Sequence, residues 1–154
     1  MQEPVKQTQR IESSMARRND HSREELKEMA LCAAEQIVDQ QGIAALSTRK
    51  VAAAIGYSVG SLYLVFKNLD DLCWQLNART LDKLLVEVSD MAAIDAHQAL
   101  LDYAHHYLAF SQQWPQRWSL LFEHSTAGEQ APEWLLQRIE QLFERLEELL
   151  QQLF

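Results

Sequence analysis

Three residues at fixed offsets, Ala52, Gly56 and Leu62, constrain this chain more than any other feature of it. They lie in LSTRKVAAAIGYSVGSLYLVFKN, residues 46–68, where helical order breaks once, at Gly56, and resumes at once. Two helices joined by a short turn at a steep angle form a helix-turn-helix. The crossing needs a small residue where the helices meet, and Ala52 supplies it. The turn needs a residue at ease with positive φ, which is Gly56. An apolar plug must then close the crossing, and Leu62 stands in that place, with Val51, Ile55 and Phe66 completing a small core. By themselves these residues also suit an ordinary αα-hairpin with glycine in its turn.

Charge sets the window apart. Residues 1–70 carry nine Lys/Arg and nine Asp/Glu, whereas residues 71–154 carry five and thirteen, which accounts for the net charge of -8. The window itself holds Arg49, Lys50 and Lys67 and no acid. Only the first half can therefore approach a polyanion, and only through a local patch. Freedom from acid is what a DNA-facing surface requires, because each phosphate contact releases counterions and each carboxylate opposes it. Ser58, Gly60 and Ser61 are small enough to let the backbone come close to a duplex, and helix N-termini favour phosphate.

The rest of the chain reads as helix. A hydrophobic fraction of 47% provides for a core, and 4 Gly and 3 Pro leave little material for turns. Cys32 and Cys73 fall within apolar helical patterns, as buried thiols of a reducing cytosol do. No 18-residue apolar run suggests a membrane span, and residues 1–20, a polar arm, lack the apolar region of a secretory signal. A first helix opens at Ser22 with Glu25 as a capping box and stops at Gly42. A second follows Ser47 as N-cap, a third spans about 59–66, and Asn68 caps a fourth whose buried side includes Leu69, Leu72, Cys73, Leu76, Leu84, Leu85 and Val88. A fifth opens near Asp95, a sixth at Trp114-Pro115, and a last runs from Pro132 to the end, after the loop STAGEQAP.

Residues 22–80 resemble the N-terminal DNA-binding domain of the TetR/AcrR family of bacterial transcriptional regulators. The likeness rests on LSTRKVAAAIGYSVGSLYLVFKNLDDL: a Thr-led second helix, then G-x-S-x-G-S/T-L-Y-x-x-F-K, then an acidic-apolar start to the fourth helix. It implies an all-α chain with a flexible arm (1–20), a three-helix DNA-binding domain (21–68) and a helical effector-binding and dimerisation domain (69–154). Carried over by position, Thr48 resembles a phosphate contact and Arg49 its base- or backbone-contacting neighbour. Ser58, Val59, Gly60 and Ser61 stand where the recognition helix enters the major groove. Tyr63 matches a phosphate-binding tyrosine, and Lys67 a terminal lysine. Leu64 and Val65 depart from the His, Tyr or Trp frequent in relatives; they pack inward or touch thymine methyls. Val59 replaces a frequent Lys, which leaves Arg49 as the main candidate for direct base reading. Arg10, Arg17 and Arg18 of the arm suit either DNA contacts or a solvated start.

The second half is rich in aromatics. Tyr103, Tyr107, Phe110, Trp114, Trp118 and Phe122 are the candidate lining of an apolar effector pocket, although aromatics at helical spacing also build cores. His105 and His106 are adjacent and point about 100° apart on a helix, so they do not converge on a metal. No serine-nucleophile or phosphate-loop pattern appears, and neither cofactor nor catalysis is expected. In the last segment Leu142, Leu146, Leu149 and Leu153 continue a heptad seam, flanked by Leu136, Phe143 and Leu150. The seam is the expected dimer contact, and the intact apolar face at the end suggests a shortened or truncated form. The expected function is a cytoplasmic, nucleoid-associated homodimeric repressor. It would bind a palindromic operator in double-stranded DNA and be released by a small apolar or aromatic molecule. The alternative is a helix-turn-helix used as a protein-interaction module with weak, non-specific DNA binding.

Overall fold

The computed structural model describes residues 21–89, 95–124 and 130–154. The arm expected over residues 1–20, and residues 125–129 of the expected loop, lie outside the described residues. All described regular structure is helical: α1 Arg23–Gln41, a 3-10 turn Ile43–Ala45, α2 Thr48–Ile55, α3 Val59–Leu62, α4 Leu69–Ser89, α5 Ala96–Gln113, α6 Pro115–Glu123 and α7 Glu133–Gln151. None of the described helices is long and apolar enough to cross a membrane.

The helix starts follow from capping. Ser22 Oγ accepts from the Glu25 amide at 3.2 Å, and the Glu25 carboxylate accepts from the Ser22 amide at 2.6 Å, a complete capping box. Hydrogen bonding from Ser22, by its backbone amide first and its side chain second, holds the Glu25 carboxyl below its ordinary range. Ser47, Asn68 and Asp95 accept from the amides of Lys50, Asp71 and Gln98 at 3.1, 2.8 and 2.8 Å. Pro115 opens α6.

Two helix ends use glycine. Gly56 has φ 74 and ψ 26, the left-handed conformation that reverses the chain between α2 and α3. Gly42 also has positive φ, but its ψ of 172 is extended, so α1 ends in a glycine turn other than the left-handed stop expected from the sequence. The third helix is shorter than its 59–66 pattern suggests. After Leu62 the bonds from the Leu64 and Val65 amides span three residues, to Ser61 and Leu62, and the coil tightens into turns.

Buried side chains gather in two cores. The first joins Ala30, Ala34, Ile37 and Val38 of α1 to Val51, Ala52, Leu62 and Phe66, with Leu72, Cys73 and Leu76 of α4 and Leu120 of α6. The second joins Leu81, Leu84 and Val88 of α4 to Tyr103 and Phe110 of α5 and to Leu135, Leu142 and Leu149 of α7. Leu69, expected on the buried side of α4, is exposed. Cys32 and Cys73 are free thiols, and burial pushes Cys73 up to about 11.

An ionic cluster crosses between the cores. Arg79 of α4 donates to Glu28 at 2.6 Å and to Glu35 at 3.0 Å, both on α1. Arg117 of α6 donates to both carboxylate oxygens of Asp39 at 2.8 and 2.6 Å. Burial by itself would lower both arginine pKa values; the carboxylates outweigh it and raise them.

A Cβ at Gly56 would meet nothing within 4 Å. Gly56→Ala is therefore expected to cost only the left-handed backbone penalty, about 1–2 kcal/mol. Gly60 does not have positive φ, and a Cβ there would sit 3.7 Å from Ser58 Oγ. Gly60→Ala should instead add about 0.5–1 kcal/mol by reducing unfolded-chain freedom. Urea unfolding followed by circular dichroism should give opposite signs for the two; a shared sign would contradict this account of the turn.

Candidate functional site

The helix-turn-helix side chains divide by burial. Val51, Ala52, Leu62 and Phe66 are buried, so the crossing closes as their spacing predicts. Arg49, Ser58, Gly60, Tyr63, Leu64 and Lys67 are exposed, Tyr63 by 54% and Leu64 by 61%. Thr48, the first residue of α2, and Ser61 are half-buried. Val59 packs partly against the first core, which leaves less of it for a partner than its position in the motif suggests. Of the two departures, Val65 packs inward on that core and Leu64 points out.

The polar groups at the turn are already engaged with one another. Ser58 Oγ accepts from the Ser61 amide at 3.2 Å and lies 2.9 Å from Ser61 Oγ. Ser58 is therefore an N-cap first. His21 Nδ1 is hydrogen-bonded to the Tyr57 hydroxyl at 2.7 Å, tying the residue before the Ser22 cap of α1 to the turn between α2 and α3. The sequence reading missed this pair, because nothing local links positions 36 apart.

Neither Arg49 nor Lys67 is held in an ion pair among the described residues. Lys50 donates to the Gln41 side chain, a neutral partner that leaves its charge uncompensated. The acid nearest the window in sequence after Asp70 is Asp71, and its carboxylate is occupied: it accepts from the Lys67 amide at 2.8 Å and from Gln75 at 3.0 Å. The exposed face of α2 and α3 thus carries cations, a phenol and small residues with no opposing carboxylate in the window.

The second candidate site is an apolar cavity of about 440 Å³ between α4, α5, α6 and α7. It is lined by Leu81, Leu100, Tyr103, Ala104, Tyr107, Trp118, Leu121, Phe122, Ile139, Leu142, Phe143 and Leu146. No charged side chain is among them. Trp118 is the hub of its aromatic wall, edge-to-face with Tyr107 at 4.7 Å and Phe122 at 5.3 Å. The Tyr103 hydroxyl is spent on the Leu142 carbonyl at 3.0 Å. Burial raises the Tyr107 hydroxyl above its ordinary range, so it stays a neutral donor at physiological pH.

Four of the six aromatics read as pocket lining, Tyr103, Tyr107, Trp118 and Phe122, meet at this cavity. The other two do not. Phe110 is 1% exposed and packs within the second core. Trp114 lies between two cations, 4.4 Å from Lys83 Nζ and 4.4 Å from the Arg117 guanidinium carbon. The leucine seam needs a correction as well. Leu142 and Leu149 are buried within the chain, and Leu146 is half-buried on the second core. Leu142 and Leu146 face the cavity, and Leu153 is half-buried. What α7 leaves open is the flank: Leu136, Phe143 and Leu150 are exposed.

Residues 30–73 match the sequence model of a family described as bacterial regulatory proteins, tetR family. The match covers the last part of α1, the helix-turn-helix and the start of α4, and bears out the resemblance read from the motif. The fold is similar to a protein with unknown function from Rhodococcus sp. RHA1, at 18% identity over 82% of this chain and 66% of that one, with a TM-score of 0.70. It is similar to a TetR family transcription regulator from Marinobacter aquaeolei VT8, at 19% identity over 83% of this chain and 66% of that one (TM-score 0.61). It is similar, too, to the TetR family transcriptional regulator PfmR from Thermus thermophilus, at 19% identity over 80% of this chain and 69% of that one (TM-score 0.63). The chain spans just under two thirds of the length of the first two structures, 66% of each. No curated protein matches it. The architecture is thus the fold shared with these structures, and residues 30–73, which include the helix-turn-helix, carry the sequence pattern of the tetR family model.

Free cations and a partnered backbone predict separable effects on DNA binding. Lys67→Ala and Tyr63→Phe should weaken all duplexes about equally, with the lysine change reducing the salt slope by about one unit. Arg49→Ala should cost about 1–3 kcal/mol and relax one base position per half-site. Anisotropy titrations across salt and site variants separate the two; uniform weakening by Arg49→Ala would reduce it to a backbone contact.

Proposed function

We propose that the chain is a transcriptional repressor that binds a palindromic duplex as a dimer and leaves it when a small neutral apolar or aromatic molecule enters the cavity. The observation that carries the DNA half is the exposed, acid-free face of Arg49, Tyr63 and Lys67 on a helix-turn-helix whose residues 30–73 match the family. In this reading α3 enters the major groove, Thr48, Tyr63 and Lys67 hold phosphates, and Arg49 reads a base edge. Ser58, Gly60 and Ser61 bring the backbone close, Val59 lends its exposed edge, and Leu64 meets thymine methyls.

The effector half is supported by a cavity whose lining carries no charge. Such a site disfavours an ionic ligand, which would lose its hydration without a counter-charge. Tyr107 offers a polar contact in the lining. For the dimer, Leu136, Phe143 and Leu150 recur at the seven-residue spacing of a helix-packing seam and are exposed. A second copy covering this flank would give a two-fold pair, with recognition helices about 34 Å apart for successive major grooves.

Selection of bound duplexes from a random pool tests the reading directly. A palindrome bound at least about a thousandfold more tightly than random duplex is the expected result. Equal, weak, salt-sensitive binding to every duplex would instead support the interaction-module reading. A neutral aromatic compound that releases the selected duplex should quench tryptophan emission. Trp118→Phe should abolish that quenching and Trp114→Phe should preserve it. Release with unchanged emission in the Trp114→Phe protein would place the ligand elsewhere. In sedimentation, Leu136→Glu with Leu150→Glu should yield folded monomers, whereas Leu142→Glu, at a buried position, should unfold the chain.

A further inference from the structure

The nine residues of α6 serve both cores at once. Leu120, 1% exposed, belongs to the first core with Ala34, Ile37 and Val38 of α1. Trp118 and Leu121 turn the other way, into the wall of the cavity. The joint on the α1 side is polar as well as apolar. Arg117 grips Asp39 through two parallel bonds of 2.8 and 2.6 Å, and its third nitrogen lies 3.5 Å from Glu35 Oε1. That same oxygen accepts from Arg79 Nε at 3.0 Å, so α6, α1 and α4 meet at one carboxylate. The Arg117 side chain is 10% exposed, and Trp114 stacks on its guanidinium. A planar fork closed on a carboxylate in two places resists sliding and rotation, which a single bond or a point charge does not.

Arg117 and Trp118 are adjacent on a short helix with a rise of about 1.5 Å per residue. Displacing one displaces the other. Because α1 packs the buried faces of α2 and α3, its last turns set where the helix-turn-helix sits.

We propose that Arg117 is a positioning residue that carries occupancy of the apolar cavity onto α1. A molecule pressing on Trp118 and Leu121 moves α6, and the clamp to Asp39 and Glu35 moves the end of α1 with it, alongside any shift of α4. The inference rests on the effector reading of the cavity. It requires that an occupied cavity favour one placement of α6 over another, since only a differential interaction shifts an equilibrium.

Hydrogen exchange on the full chain tests this without DNA. The cavity is filled in two ways: with N-phenyl-1-naphthylamine, a neutral aromatic fluorophore, and by Ala104→Trp from its own wall. Either filling should change amide exchange in residues 35–42 at least about fivefold, within the range of ordinary coupling. In Arg117→Gln and in Asp39→Asn the fluorophore should bind as before, while the response at 35–42 falls below about twofold. Arg117→Lys, which keeps the charge and loses the fork, should fall between. Should Arg117→Gln not fold, Asp39→Asn and Arg117→Lys decide the matter. A full response at 35–42 in these variants overturns the proposal, as does a native chain in which both fillings leave 35–42 unchanged. A chain that passes but selects no duplex retains the coupling and loses the repressor reading. One that selects a duplex and fails here loses only the coupling route.

Discussion

The exposed face of this protein depends on the burial of Leu62 beside Val51 and Ala52. α3 has only four residues, too few to stand as an isolated helix, so its placement must come from tertiary contact and local caps. Leu62 at 1% exposure and Phe66 at 3% supply the contact. Ser58 supplies the start, and Gly56 the reversal. With those fixed, Tyr63, Leu64 and Lys67 have nowhere to go but outward. The helix-turn-helix surface is thus a consequence of how a very short helix is anchored.

Local signals made much of this legible in the sequence. Ser22–Glu25, Ser47, Asn68, Asp95 and Pro115 each act within three or four residues, and each begins a helix where its pattern says. The Gly56 turn belongs to the same class. The shortening of α3 did not show, because the apolar spacing of Leu62 and Phe66 is satisfied equally by a helix and by the tighter turns observed. The ionic cluster did not show either. Its partners are 44 to 82 positions apart, and no periodicity in one helix announces an acid on another.

The candidate sites divide along the same line. Positions on the helix-turn-helix follow from a motif confined to one stretch, and most of them are exposed. The cavity needs four helices to be assembled, and aromatic content cannot say which ring turns inward. Phe110 and Trp114 belong to the same aromatic run as Trp118, yet one fills a core and the other is held between cations. For α7 the heptad spacing was right and its direction was not. A seam of leucines marks a face that must be covered, but α4 and α5 of the same chain cover it. The side left over is the flank of Leu136, Phe143 and Leu150.

The charge asymmetry takes on a different meaning once the pairings are known. By sequence the first 70 residues are neutral, a poor start for a surface proposed to face phosphates. Among the described residues of that half, Glu28, Glu35 and Asp39 are engaged by Arg79 and Arg117, and Asp70 by His124. Glu25 accepts within a capping box and keeps its charge, and Glu24 enters no ion pair among the described residues. Arg23, Lys27, Arg49, Lys50 and Lys67 enter no ion pair among the described residues. The acidic half thus lends two of its five cations to offset acids of the neutral one. Because paired charges cancel at a distance while unpaired ones do not, the field in front of α2 and α3 is more positive than the residue count implies. The same two arginines that free this field also hold α1 against α4 and α6. Surface charge and the seating of the helix-turn-helix are therefore set by one cluster, and a change that loosens it must alter both together.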